Sequence, residues 1–163
     1  MNEKEILISG LNITPETIDD ADNIYKYMGC DPEITKYTGW NPYFCLESTI
    51  EKIKHDLESE DTYSWVIKKD GEFIGTIGAY DYKADEKSIE IGYSIARHHW
   101  GKGYAGAAAK AVVQFLLNQP HIDRVSAWSH KDNEASRRVL LGAGLKEVSV
   151  NDEQVIYELV KVK

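Results

Sequence analysis

Apolar and polar residues alternate without a break in "KSIEIGYSIA", residues 87–96. Ile89, Ile91, Tyr93 and Ile95 fall on one side and Ser88, Glu90, Gly92 and Ser94 on the other, the pattern of a strand with one apolar and one polar face. "YSWVIKK" and "EFIGTIGAYDY" flank Asp70 and Gly71, which reads as two strands joined by a tight turn. "ILISGLNI" reads as a first strand, and the period then lengthens. Ala21, Ile24, Tyr25 and Met28 recur at helical spacing after "TPETIDD", as do Ile50, Ile53 and Leu57 within "LESTIEKIKHDLES", predicting two early helices. Beyond residue 100, Ala108, Val112, Phe115 and Leu116 form one stripe of a helix whose first turns are nearly all Gly and Ala. "RVSAWS" is the next strand, "NEASRRVLLGAG" a short helix ended by glycines, and "LKEVSV" and "QVIYELVKV" are closing strands. The predicted order is β-α-α-β-β-β-α-β-α-β-β, a mixed α/β chain.

Composition narrows the class. A chain of 163 residues without repeats or low-complexity linkers suits a single domain, 1–163, read as continuous from about residue 6 to residue 161. Nineteen Lys and Arg against 27 Asp and Glu leave a net charge of −8, and no basic stripe is present to track phosphates. Direct nucleic-acid binding is therefore not expected, and the acidic balance leans toward cationic partners such as amines. Cys30 and Cys45 are too few for a disulfide framework and match no zinc spacing. With neither a signal sequence nor a long apolar run, a soluble protein of the reducing cytoplasm is expected, with no membrane partner.

Gly101, Gly103 and Gly106 in "WGKGYAG" have the G-x-G-x-x-G spacing of a dinucleotide-binding turn. That reading needs an acid at the carboxyl end of the following strand, and Asp123 instead precedes "RVSAWS". The antiparallel strands ahead of the turn also argue against an all-parallel nicotinamide fold. No G-x-x-x-x-G-K-[ST] string occurs, which excludes a P-loop. Both readings share their physics: glycines let backbone amides approach a pyrophosphate, and a helix N-terminus adds favourable partial charge.

"IEIGYSIARHHWGKGYAGAAAKAVVQFL", then "RVSAWSHKDNEASRRVLLGAGLKEV", with "DPEITKYTGWNP" earlier, resembles the GCN5-related N-acetyltransferase (GNAT) superfamily, in its RimJ/RimL-like branch of ribosomal-protein N-acetyltransferases. The resemblance covers most of the chain. It implies a GNAT-type acyl-CoA N-acyltransferase fold with a mostly antiparallel, splayed central sheet flanked by helices. It further implies acetyl-CoA as co-substrate, a primary amine as acceptor (a protein N-terminal amine or a small molecule), and direct attack in a ternary complex. The branch also admits a homodimer. By the same resemblance the pyrophosphate segment falls on Gly101, Lys102, Gly103, Tyr104, Ala105 and Gly106, with Trp100 where the wider family has Gln or Arg. Tyr93, Ser94 and Ile95 match the strand positions that pair with the pantetheine arm, and Asn133 a side chain that hydrogen-bonds it. Gly106 to Ala108 reads Gly-Ala-Ala where the branch has Thr-Glu-Ala, removing one hydroxyl near the phosphates.

Acetyl transfer needs a base for the ammonium proton and an acid for the departing thiolate. Glu90, on the polar face of the cofactor strand, is one candidate base, and Glu153 in the closing strands is the other. Ser136 matches the serine of the branch's N-x-x-S motif and is the candidate acid, Leu140 standing where many relatives have tyrosine. Asn133 also suits the N-cap of the helix that follows. Gly92 inside a strand points to a close approach by another backbone or a ligand, or to a bulge. The aromatic stretch 37–44 is a candidate wall of the acceptor pocket. His55, His98, His99, His121 and His130 have neither metal spacing nor an accompanying carboxylate cluster, so no metal is expected. The alternative to an enzyme is a coenzyme A-binding module without catalysis.

Overall fold

The computed structural model describes residues 4–37 and 45–163. Strands β1 (Ile6–Ile8), β2 (Leu11–Pro15), β3 (Tyr63–Lys69), β4 (Glu72–Lys83), β5 (Ser88–Ile95), β6 (Arg124–His130), β7 (Lys146–Val150) and β8 (Gln154–Val160) share one sheet. Their order is β1-β2-β3-β4-β5-β6-β8-β7, every neighbouring pair antiparallel except β5 with β6. The stretch predicted as one first strand is a hairpin, because Ser9 and Gly10 both take positive φ and turn the chain back after three residues. Asp70 and Gly71 make the same kind of turn between β3 and β4, as the sequence predicts.

Helices cover both faces of the sheet. On one side lie α4 (Tyr104–Leu117) and α5 (Glu134–Gly142), whose Ala108, Val112, Leu116 and Leu140 are buried among Leu11, Trp65, Ile77, Ile91 and Tyr157. On the other lie α1 (Ala21–Ile24, continued as a π-helical turn to Gly29), α2 (Pro32–Thr35) and α3 (Leu46–Glu58). There Ile24, Met28, Ile34 and Ile53 pack on Val66, Phe73 and Ala96. The predicted face of α3 is only half right: Ile53 is buried, whereas Leu57 is 47% exposed near the helix end. The polar face of β5 is also more covered than its alternation suggests, with Ser88 and Ser94 both buried. Among the described residues no helix is long and apolar enough to cross a membrane.

The feature that positions everything below is a split in the sheet. β5 and β6 pair in parallel only from Ser88↔Arg124 to Glu90↔Ser126. β5 then runs on to Ile95 and β6 to His130 without pairing, β5 held by β4 and β6 by β8. The sheet is thus splayed, with a wedge between two strands whose facing edges carry free backbone groups.

Candidate active site

The wedge opens into a cavity of about 790 Å³, lined by Tyr93, Ser94 and Ile95 of β5, the turn from Trp100 to Gly106, Ala127 to Ser129 of β6, and Asn133 and Ser136 at the start of α5. The strand phase decides which β5 groups face it. Ala96 N–H donates to Ile74 C=O (2.9 Å), which fixes Ser94, Gly92 and Glu90 as the residues hydrogen-bonded to β4. The N–H and C=O groups of Ile91, Tyr93 and Ile95 consequently face the wedge. Of the three predicted pantetheine-pairing positions, Ser94 lines the cavity but spends its backbone on β4. The Ile95 carbonyl already accepts from the Trp100 indole Nε1 at 2.7 Å, leaving Tyr93 as the position with both backbone groups free for a strand-like ligand.

Trp100 thus has an architectural place: its ring ties the glycine turn to the end of β5. Gly101 (φ +76°) and Gly103 (φ +78°) are left-handed, and a Cβ built on either would meet nothing within 4 Å. Both require glycine by conformation, and both face open space that a ligand can fill. Gly103 is the N-cap of α4 and offers no side chain, so the first amides of the helix, at Tyr104, Ala105 and Gly106, have no cap. The macrodipole adds positive partial charge there, giving an anion cradle at the mouth of the wedge. Lys102 is exposed on the same turn.

Deeper in, Asn133 Oδ1 accepts from Ser136 N–H at 3.1 Å and caps α5, as predicted. Ser136 Oγ lies 2.8 Å from the Tyr93 phenol oxygen. The partners are 43 residues apart, and the sequence singles out Tyr93 only for its backbone, so the pairing is a product of the fold. Burial pushes the Tyr93 hydroxyl up to about 12, against the lowering effect of its bond to Ser136, so it stays protonated at neutral pH. Leu140 is fully buried and offers no hydroxyl.

Glu90 stands on the opposite face of β5 from Tyr93, at the last rung before the split. Burial first, and then the nearby Asp81 carboxylate, raise its pKa above the ordinary carboxylate range, while Lys83 and a hydrogen bond from Trp128 act the other way. Trp128 lines the wedge, and Glu90 also lines a neighbouring groove of about 500 Å³ together with Asp81, Lys83, Glu86, Arg124 and Glu158. Glu153 is not brought to this place: it is exposed in the turn before β8 and lines neither cavity, its backbone tied to Asn151 and Lys131. Gly92 resolves differently from either expectation. It is in register with Gly78 without a bulge, and the group that needs its bare Cα is the Tyr80 hydroxyl, which a Cβ would strike. Of the aromatic stretch 37–44, Tyr37 lines the wedge cavity and packs against His130 at 5.4 Å between ring centroids; residues 38–44 lie outside the described residues. Asp123 sits at the amino end of β6, where it cannot serve a ribose beyond the strand's carboxyl end.

Comparisons with known proteins agree with this geometry. The model of the acetyltransferase (GNAT) domain matches residues 11–146. An uncharacterized N-acetyltransferase, p20, of Bacillus licheniformis is 30% identical over 135 residues, covering 80% of this chain and 75% of its own. The uncharacterized N-acetyltransferase YoaA of Bacillus subtilis is 31% identical over 139 residues, covering 82% and 78%. Among solved structures, RimL, a ribosomal L7/L12 α-N-protein acetyltransferase in complex with coenzyme A, superposes with a TM-score of 0.85 at 14% identity, over 96% of this chain and 98% of its own. Spermidine N-acetyltransferase from Vibrio cholerae in complex with coenzyme A and spermine gives 0.85 at 15%, over 94% and 97%. The split sheet, the uncapped glycine turn and the matching family model together establish that this chain belongs to the GNAT family of acetyltransferases.

Proposed function

We propose that the chain transfers the acetyl group of acetyl-CoA to a primary amine by direct attack within a ternary complex. The observation that carries the reading is the split after Glu90, which leaves the Tyr93 backbone unpaired beside an uncapped glycine turn. An extended arm with amide groups would pair with Tyr93 as an added strand, and its pyrophosphate would rest on the amides of residues 101–106. The coenzyme A complexes of the two structural neighbours support this placement.

The two faces of β5 divide the chemistry. Glu90 takes the ammonium proton on the groove side, its raised pKa making it a stronger base than an ordinary carboxylate. The neutral nitrogen forms its bond to the thioester carbonyl carbon as the C–S bond breaks. On the other face Ser136 gives its proton to the departing thiolate and Tyr93, 2.8 Å away, resupplies Ser136; the second proton, shed by the acylated nitrogen, passes to water, from which Tyr93 is reprotonated. An α-amine, with a pKa near 8, is about a tenth neutral at pH 7, so a single carboxylate suffices as base. The acceptor's positive charge is matched by Asp81 and Glu90 in the groove.

The acceptor class follows from the neighbours only as far as an amine: one acts on a ribosomal protein and the other on spermidine. The test is release of free thiol from acetyl-CoA against a panel containing N-terminal peptides, polyamines, amino acids and aminoglycosides. Turnover with at least one amine is expected. Tight acetyl-CoA binding without thiol release across the panel would instead support a binding module.

A further inference from the structure

Glu72, the first residue of β4, lies beside His98 and His99, which end the 3-10 turn Arg97–His99 leading into the glycine turn. One donor atom from each of the three residues comes within 4.8 Å of the others. His99 Nε2 is 3.2 Å and His98 Nε2 3.8 Å from the same oxygen, Glu72 Oε1. Hydrogen bonding does not account for the arrangement. His99 is 5% exposed, and its Nε2, although 3.2 Å from the Glu72 carboxylate, has no well-formed hydrogen bond. The His98 contact is too long for a hydrogen bond.

The same distances suit coordination. A metal about 2.0–2.1 Å from a nitrogen and an oxygen in tetrahedral geometry separates the two by about 3.4 Å, close to the His99–Glu72 spacing. We infer that Glu72, His98 and His99 form a site for a borderline divalent transition ion of the zinc class, adjoining the wedge cavity, whose lining His99 shares, with Glu72 and His98 outside that lining. Two imidazoles and one carboxylate select such an ion over magnesium or calcium, which prefer all-oxygen sets. The turn carrying the histidines is already fixed: His99 N–H donates to Ala96 C=O at 2.8 Å, and Arg97 Nε donates to Asp31 Oδ2 at 2.9 Å. Tyr27 packs on His98, ring centroids 5.1 Å apart, and Tyr104 flanks His99. Coordination through Nε2 puts the His99 ring proton on Nδ1, so the Lys102 ammonium, 3.5 Å from that nitrogen, rotates away, as its exposed position allows. A bound ion would clamp the start of β4 to the turn two residues ahead of Gly101. Spacing could not reveal this site, because its carboxylate is 26 residues upstream of His98.

The test is a zinc titration of tag-free protein in competition with a chromophoric indicator, repeated on Glu72→Gln and His98→Gln. Both replaced side chains are largely exposed, and far-UV circular dichroism checks that the variants fold. One equivalent per chain is expected, with affinity at least about tenfold weaker in each variant, and no comparable binding of magnesium. Cobalt loading should give the intense visible bands of a low-coordinate N/O site. No saturable zinc binding, or an affinity unchanged in both variants, would overturn the assignment.

Discussion

The Tyr93 phenol oxygen lies 2.8 Å from Ser136 Oγ and 3.3 Å from the Ser136 carbonyl, joining the strand before the split to the first turn of α5. Ser136→Ala removes the hydroxyl proposed to protonate the thiolate, and kcat should fall by about 10²-fold. Tyr93→Phe should cost less, because Ser136 remains. If the two hydroxyls act as one relay, the double variant should be no slower than Ser136→Ala alone. Steady-state kinetics on the three variants decide this, and additive losses would separate the residues.

Glu90 gives a prediction in pH with a definite sign. Its folded pKa is raised above the unfolded value near 4.3, so its ionisation favours the unfolded chain. The stability cost is absent below the unfolded pKa and grows as pH rises through the folded one. Glu90→Gln should therefore raise Tm at pH 7 and leave it nearly unchanged near pH 4. The same substitution should lower kcat/KM and remove the rise in rate that follows Glu90 deprotonation. A variant less stable at pH 7, with the wild-type pH profile, would remove Glu90 from the role of base.

Trp100→Phe keeps an aromatic but smaller side chain and removes the bond from Nε1 to the Ile95 carbonyl, itself worth about 1 kcal/mol. The glycine turn is then less firmly tied to β5. KM for acetyl-CoA should rise severalfold with kcat nearly constant, because no reacting atom is touched.

Gly92 and Tyr80 make a coupled pair. Gly92→Ala puts a methyl group into the Tyr80 hydroxyl and should cost about 1–3 kcal/mol. Tyr80→Phe in the same chain removes the colliding oxygen and should recover much of that loss. Thermal denaturation of the single and double variants measures the recovery.

What the sequence made legible follows from which contacts are local. Strict alternation in β5, the Asp70-Gly71 turn and the small-residue start of α4 are written in neighbouring residues, and all appear where the periods predict. The Ser9-Gly10 turn was equally local, but the apolar run on either side concealed it. α2 is a single turn in which Ile34 is the lone buried residue, too short for any period to show. Site residues divide the same way. Asn133 capping Ser136 is an i, i+3 relation and was readable, whereas Tyr93 on Ser136, Trp128 on Glu90 and Tyr80 over Gly92 depend on tertiary packing. The resemblance pointed to residues that line the wedge, and the strand phase turns the Ser94 backbone toward β4.

The wedge between β5 and β6, with its glycine turn, is the proposed seat of acetyl-CoA. The most direct measurement is a calorimetric titration of acetyl-CoA into wild type and Gly103→Val, with NADH as control. Gly103 has φ +78° with nothing within 4 Å of where a Cβ would stand, so valine adds about 1–3 kcal/mol of backbone strain and projects its side chain into the cradle. One acetyl-CoA per chain is expected in wild type, none measurable in the folded variant, and no heat with NADH. Equal acetyl-CoA binding by both proteins, or binding of NADH in its place, would contradict this placement.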